Sequence, residues 1–273
     1  MKYLLDYHVH ERHSRDARTG SISRYVKIAE RKGIKEIAFT THLIVTGPDI
    51  DIGIPENEIP EYLKEIELES KNTYVILRTG LEIDYFSGEQ RNLQRIIDEY
   101  DFDFILGSTH YINGVDIGNR TLVQRFFKGK SISEGANEYY RVWKQAIESG
   151  LFDVMAHPDY WRKYIHYFRD PPTWEDYGTL VYDALRSLTK NNVGIEVNTS
   201  GFRHGTGSPF PIQEFLLAAK EAGVNIVTVG SDSHATDTFG FRIPDALNLL
   251  SHAGYENVST FKGRKVYKQI QVK

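Results

Sequence analysis

Seven times along the chain a short apolar, β-rich run gives way to a helix-length amphipathic stretch. The expected strands fall at residues 3–5, 37–39, 74–85, 102–106, 152–155, 194–197 and 225–229. The helices follow at 21–32, 59–69, 89–100, 133–148, 174–190, 211–222 and 244–252. Strands that alternate with helices imply a parallel sheet, because each return crossover must carry the chain back over the sheet. Polar residues stand just after each strand, which points to a closed α/β barrel of (β/α)7 type. An open doubly wound sheet is the alternative. In a barrel, the loops at the carboxyl ends of the strands gather on one face, so residues distant in sequence meet there.

Local signals set the boundaries. Ser21 or Ser23 is the expected N-cap of the first helix, and Gly33 suits its C-terminal stop. Gly80 is expected to break the third strand region. Residues 113–133 read as a long irregular insertion, a pattern typical of a lid. Residues 160–169 read as an aromatic and basic loop closed by Pro171-Pro172, and the chain ends in a short polar tail. No internal repeat or linker interrupts residues 1–273, so one catalytic domain is expected.

Composition narrows the chemistry. There is no cysteine, so a disulfide framework, a thiolate metal site and a cysteine nucleophile are all excluded. A net charge of -4 and a pI near 6.2 argue against a nucleic-acid binder. Nothing reads as a signal peptide or a membrane span, so a cytoplasmic protein with no membrane partner is expected. The sequence assigns no oligomeric state.

The strand ends are where the chemistry collects. His8 and His10 are two apart, so they share one face of the first strand and could bind one ion from a rigid backbone. Alone, such a pair could equally make ordinary hydrogen bonds. However, His42, Glu82, His110, His157, Asp232 and His234 also lie at or just past expected strand ends, and Asp16 lies in the loop after the first. Six of the ten histidines are in this set. Histidine with carboxylate and no thiolate suits zinc, iron(II) or manganese without choosing among them. Nine ligands exceed the coordination of one ion, so we expect two or three divalent ions and at least one bridging carboxylate. Some of the nine could instead orient true ligands.

In order, these motifs resemble the PHP (polymerase and histidinol phosphatase) superfamily. His8-Val9-His10, Thr41-His42, Gly80-Leu81-Glu82, Ser108-Thr109-His110, His157-Pro158-Asp159 and Gly230-Ser231-Asp232-Ser233-His234 carry the resemblance, which spans nearly the whole chain. The runs Gly107 to Ile112 and Glu196 to Gly201 point to its histidinol-phosphate phosphatase branch. The resemblance implies a distorted (β/α)7 barrel with a trinuclear metal site at the C-terminal face of the strands. It implies a first ion on His8, His10, Glu82 and Asp232, and a second on Glu82, His110 and His157. It implies a third on Asp16, His42 and His234, although some members of the family carry histidine where Asp16 stands. We assign Glu82, Asp232 and His234 to catalysis as well as to metal binding. Cations in such a site lower the pKa of water from 15.7 to about 7, so no side-chain nucleophile is required, and none stands out.

Arg162 and Arg203 follow two of the ligand-bearing strand ends and are candidates for the substrate's phosphate, since guanidinium matches phosphate bidentately. The stretch 160–169 could also stack on nucleobases, which the acidic composition disfavours. His252 reads as a helix-end cation, His13 and His166 as solvent-facing, and His204 as outside the site. The expected activity is hydrolysis of a small phosphate monoester, L-histidinol phosphate, in histidine biosynthesis. The alternatives are another PHP phosphoesterase, such as a protein tyrosine phosphatase or nuclease, and a non-catalytic metal-bearing domain that binds a phosphorylated partner.

Overall fold

Apolar runs flanked by helix caps organise the molecule as expected in outline. The computed structural model describes residues 3–272, apart from the side chains of residues 166 and 167, so the expectation for His166 lies outside the described residues. The first half alternates strand and helix: β1 (Leu4–Val9), α1 (Ile22–Lys32), β2 (Ile34–Leu43), α2 (Ile59–Ser70), β3 (Ile76–Asp84), α3 (Gln90–Glu99) and β4 (Phe104–Ser108). A hairpin of β5 (Tyr111–Ile112) and β6 (Val115–Asp116) precedes α4 (Arg120–Phe127) and α5 (Ile132–Glu148). Then come β7 (Val154–Met155), a 3-10 segment (Tyr160–Tyr167), α6 (Trp174–Asn191), β8 (Gly194–Asn198), α7 (Ser200–Arg203) and α8 (Gln213–Glu221). The chain continues through β9 (Val227–Gly230), α9 (Ile243–His252), β10 (Asn257–Lys262) and β11 (Lys265–Gln271).

Seven strands form one parallel sheet in the order β1-β2-β3-β4-β7-β8-β9. It curls until its edges nearly meet. At the seam the strands exchange only a short bridge, in which His10 N donates to Ser233 O at 2.8 Å. The buried Asp6 carboxylate completes the closure, accepting from Ser231 N at 2.8 Å, Ser231 Oγ at 2.5 Å and Gly240 N at 3.0 Å. Hairpin β10–β11 covers the amino-terminal end of the barrel, with Phe261 against Tyr7 and Phe104. Histidines and carboxylates occupy the other end.

Four local expectations are corrected. β3 is unbroken through Gly80, where a Cβ would lie 2.7 Å from Phe104 O and 3.0 Å from Phe39 O. Glycine there permits close strand approach instead of ending a strand. Residues 113–133 are ordered: Asn113 and Gly114, both at positive φ, make the tight turn between β5 and β6, and the Asn119 side chain caps α4. Residues 160–167 are 3-10 turns, not an open loop. The polar tail is the hairpin β10–β11, turning at Gly263-Arg264, also at positive φ.

Candidate metal centre

The centre is built around one carboxylate. Glu82 on β3 is paired in register with His42 on β2 and Leu106 on β4, so it projects into the middle of the barrel's carboxyl end. Its two oxygens face different sets of imidazoles. Oε2 lies 3.1 Å from His8 Nε2, 3.3 Å from His10 Nε2 and 3.1 Å from His42 Nδ1. Oε1 lies 3.0 Å from His157 Nε2 and 3.8 Å from His110 Nε2. Asp232, past the end of β9, brings Oδ1 within 3.7 Å of His8 Nε2 and 3.5 Å of His10 Nε2. Asp16 Oδ2 lies 3.2 Å from His234 Nε2 and 3.7 Å from His42 Nε2. All nine residues singled out from the sequence therefore converge.

The donor chemistry fits divalent cations. His8 and His10 face each other with Nε2 atoms 3.0 Å apart, and His110 and His157 with Nε2 atoms 3.3 Å apart. Two imidazole lone pairs cannot face each other at that range without a proton or a cation between them. Donor atoms of His8, His10 and Glu82 lie within 4.8 Å of one another, as do those of Glu82, His110 and His157, and of His10, His42 and His234. Two of the ligand candidates, His157 (φ 27) and Asp232 (φ 53), hold left-handed backbone conformations rare outside glycine.

Electrostatics follow from this crowding. Burial acts to raise the Glu82 carboxyl, but His8 and His42 outweigh it and hold it well below the usual carboxylate range. Burial disfavours the His110 cation, yet Asp84 Oδ1, 2.9 Å from its Nδ1, pushes it up to about 9. His10 is lowered to about 4 by burial and then by His234 and His42. The centre opens into a cavity of about 290 Å³, with Asp49, Tyr111, Asp116, Lys163, Arg203 and His204 among its lining residues.

The PHP domain family model matches residues 6–200. The chain belongs to the PHP domain family. It is 28% identical over 269 residues to a Deinococcus radiodurans protein named "Probable histidinol-phosphatase", covering 97% of this chain and 99% of that one. It is 27% identical over 268 residues to the histidinol-phosphatase of Lactococcus lactis subsp. lactis, covering 97% and 96%. Among solved structures, histidinol phosphate phosphatase from Lactococcus lactis subsp. lactis, complexed with zinc, L-histidinol and phosphate, is similar with a TM-score of 0.84. That likeness is at 25% identity, over 98% of this chain and 100% of that one.

Not every residue of this PHP protein lies where the sequence suggested. Arg162 is buried away from the cavity, with Nη1 2.9 Å from Asp159 Oδ2. The next residue, Lys163, lines the cavity instead, and its Nζ donates to Tyr160 Oη at 2.8 Å. The 3-10 period explains both, because residues three apart eclipse, stacking 162 over 159 and 163 over 160. Arg203 does line the cavity, but Nη1 and Nη2 donate to the carbonyls of Ser231 and Asp232, each at 2.8 Å. His204 also lines it, kept largely neutral by burial and Lys163, with its pKa lowered to about 4. His13 is buried, not solvent-facing, with Nε2 3.2 Å from Glu65 Oε2. His252 is at the end of α9 as expected, donating from Nδ1 to Asn248 O at 2.7 Å. Two carboxylates were missed as site residues: Asp84, beside His110, and Glu196, whose Oε1 lies 2.8 Å from His8 Nδ1. Period-two spacing from Glu82 and from Asn198 was the available signal for them.

Proposed function

We infer that this chain is a metal-dependent phosphomonoesterase that hydrolyses L-histidinol phosphate to L-histidinol and phosphate, in histidine biosynthesis. The observation that carries the reading is full-length likeness to an enzyme crystallised with zinc, L-histidinol and phosphate, joined to a matching donor cluster in this chain. The whole chain acts as one catalytic domain and works in the cytoplasm. Among the described residues no helix is long and apolar enough to cross a membrane. With zinc, manganese or iron supplied, the purified protein should release phosphate from L-histidinol phosphate at least about tenfold faster in kcat/KM than from nucleotides or phosphotyrosine, a gap of roughly 1.4 kcal/mol. A nucleotide or phosphotyrosine peptide as the best substrate would overturn the specificity.

His8, His10, Glu82 and Asp232 are suited to hold one ion, Glu82, His110 and His157 a second, and Asp16, His42 and His234 a third. When bound, such ions supply a hydroxide at neutral pH and neutralise charge on the phosphoryl oxygens. The chain's own groups orient the reaction. Asp84 accepts from His110 Nδ1, fixing the tautomer that leaves its Nε2 free. The buried imidazole cluster limits water on one side, and the substrate enters through the cavity on the other.

Lys163, not Arg162, is the candidate cation for the phosphate, because it lines the cavity. The two residues should separate cleanly on substitution. Lys163→Met removes a charge-assisted hydrogen bond worth ~1.5–3 kcal/mol, so inhibition by inorganic phosphate should weaken roughly tenfold to more than a hundredfold with unfolding unchanged. Arg162→Met leaves the buried Asp159 carboxylate without its cation, and should cost ~3–5 kcal/mol of stability. Denaturant melts beside phosphate inhibition constants check both. Equal phosphate inhibition in wild type and Lys163→Met would remove Lys163 from the substrate site.

A further inference from the structure

One of the seven barrel strands, β8, contributes none of the nine proposed ligands, yet its carboxyl end touches three of them. Glu196 Oε1 lies 2.8 Å from His8 Nδ1, and its Oε2 accepts from the backbone N–H of His157 at 3.0 Å. Asn198 Nδ2 donates to Glu196 Oε2 at 3.0 Å, reaches Asp232 Oδ2 at 3.4 Å, and lies 3.3 Å from His8 Nδ1, well outside the 2.8 Å contact that Glu196 makes with that nitrogen. Arg203, in the short helix just after β8, binds the carbonyls of Ser231 and Asp232. His157 and Asp232 are the two ligand candidates with left-handed backbones, a conformation that persists only where its surroundings fix it. The fit is also sterically set, since a Cβ at Gly230 would collide with Glu196 Oε1 and with the His8 Cβ.

We propose that β8 is a ligand-free brace for the metal centre, in which Glu196 is the positioning residue that sets the His8 tautomer and holds the His157 backbone. This rests on the metal-dependent reading above. A carboxylate can only accept, so Glu196 demands a proton on His8 Nδ1 and leaves Nε2 bare for a cation. The same carboxylate's second oxygen takes the His157 N–H, so one side chain couples β1 to β7. An amide at this position cannot meet both demands. Its oxygen must face the His157 N–H, which turns its NH2 toward His8 Nδ1 and drives the imidazole proton to Nε2. Glutamine thus preserves volume and packing while inverting the tautomer.

Zinc affinity should be measured by chelator competition for wild type, Glu196→Gln and Glu196→Ala, beside the thermal midpoint of each protein stripped of metal. Glu196→Gln should bind zinc roughly 10–100-fold more weakly, the range found for outer partners of metal-bound histidine. Its stripped midpoint should match that of wild type, a pairing that a merely structural residue would not give. Glu196→Ala should lose at least as much affinity. If the alanine variant does not fold, the glutamine variant decides alone. Wild-type zinc affinity in Glu196→Gln overturns the brace, and so does a fall in its stripped midpoint that accounts for the lost affinity. Wild-type protein that binds no zinc, manganese or iron would instead overturn the metal-dependent reading on which the brace depends.

Discussion

Replacing Glu82 by alanine should remove more than one metal equivalent per chain and lower kcat/KM by at least about 10³-fold. The magnitude follows from the several kcal/mol of charge stabilisation that a bound cation contributes to such a reaction, with each 1.36 kcal/mol worth a factor of ten. The stoichiometry follows from geometry. Glu82 Oε2 faces His8, His10 and His42, while Oε1 faces His157 and His110, so a single deletion opens both sets. The carboxylate is also the anion among five imidazoles. Without it, Asp232 and Asp16 would be the only carboxylates left among the proposed ligands to offset the charge of the bound cations. Glu82→Gln keeps the volume and one acceptor, and it separates lost charge from lost packing. Elemental analysis beside phosphate release makes the measurement. Retention of all metal in Glu82→Ala, or of more than about a tenth of the activity (a loss under 1.4 kcal/mol), would refute the bridging role.

The barrel was legible because its signals are periodic and repeated. Seven strand-helix rounds imply a parallel sheet, and a parallel sheet sends its strand ends to one face, so the strand-end histidines had to meet. The irregular parts were less legible for particular reasons. Asn113-Gly114 is among the strongest hairpin signals, but the strands it joins are two residues each and give no period to detect. In β11 every residue but Ile270 is exposed, so no alternation of buried and exposed positions marks the strand among Lys265, Lys268, Gln269 and Gln271. The side chain that reaches the cavity from 160–167 depended on knowing that the segment is 3-10. Read as a loop, Arg162 and Lys163 are equivalent; with three residues per turn, one faces Asp159 and the other the cavity. Glu196 was visible as part of a motif, but its role was hidden, because its partners are 188 residues away at His8 and 39 away at His157.

Asp16 tests whether the centre holds a third ion. It lies in the loop after β1, six residues beyond His10 and partly exposed, and among the other eight candidates it touches His234 and His42. Burial acts to raise its carboxyl, but His234 and then His42 outweigh this and hold it well below the usual carboxylate range. Asp16→Asn keeps the shape and removes the anionic charge that a hard or borderline cation favours. The strands that carry or lead into His8, His10, Glu82, His110, His157 and Asp232 are untouched by the change. The variant should therefore lose about one metal equivalent (two others staying bound), and its stability should remain within about 0.5 kcal/mol of wild type, as for most substitutions outside the core. The rate should fall by roughly a hundredfold or more, since losing one cation forfeits several kcal/mol of charge neutralisation on the phosphoryl group. Raising the metal concentration should restore part of that rate, because asparagine still offers an oxygen ligand at the same position. The measurements are metal content, a denaturant melt and a metal titration of activity on the same preparation. Full metal content with full activity would take Asp16 out of the ligand set and leave a two-ion centre on Glu82.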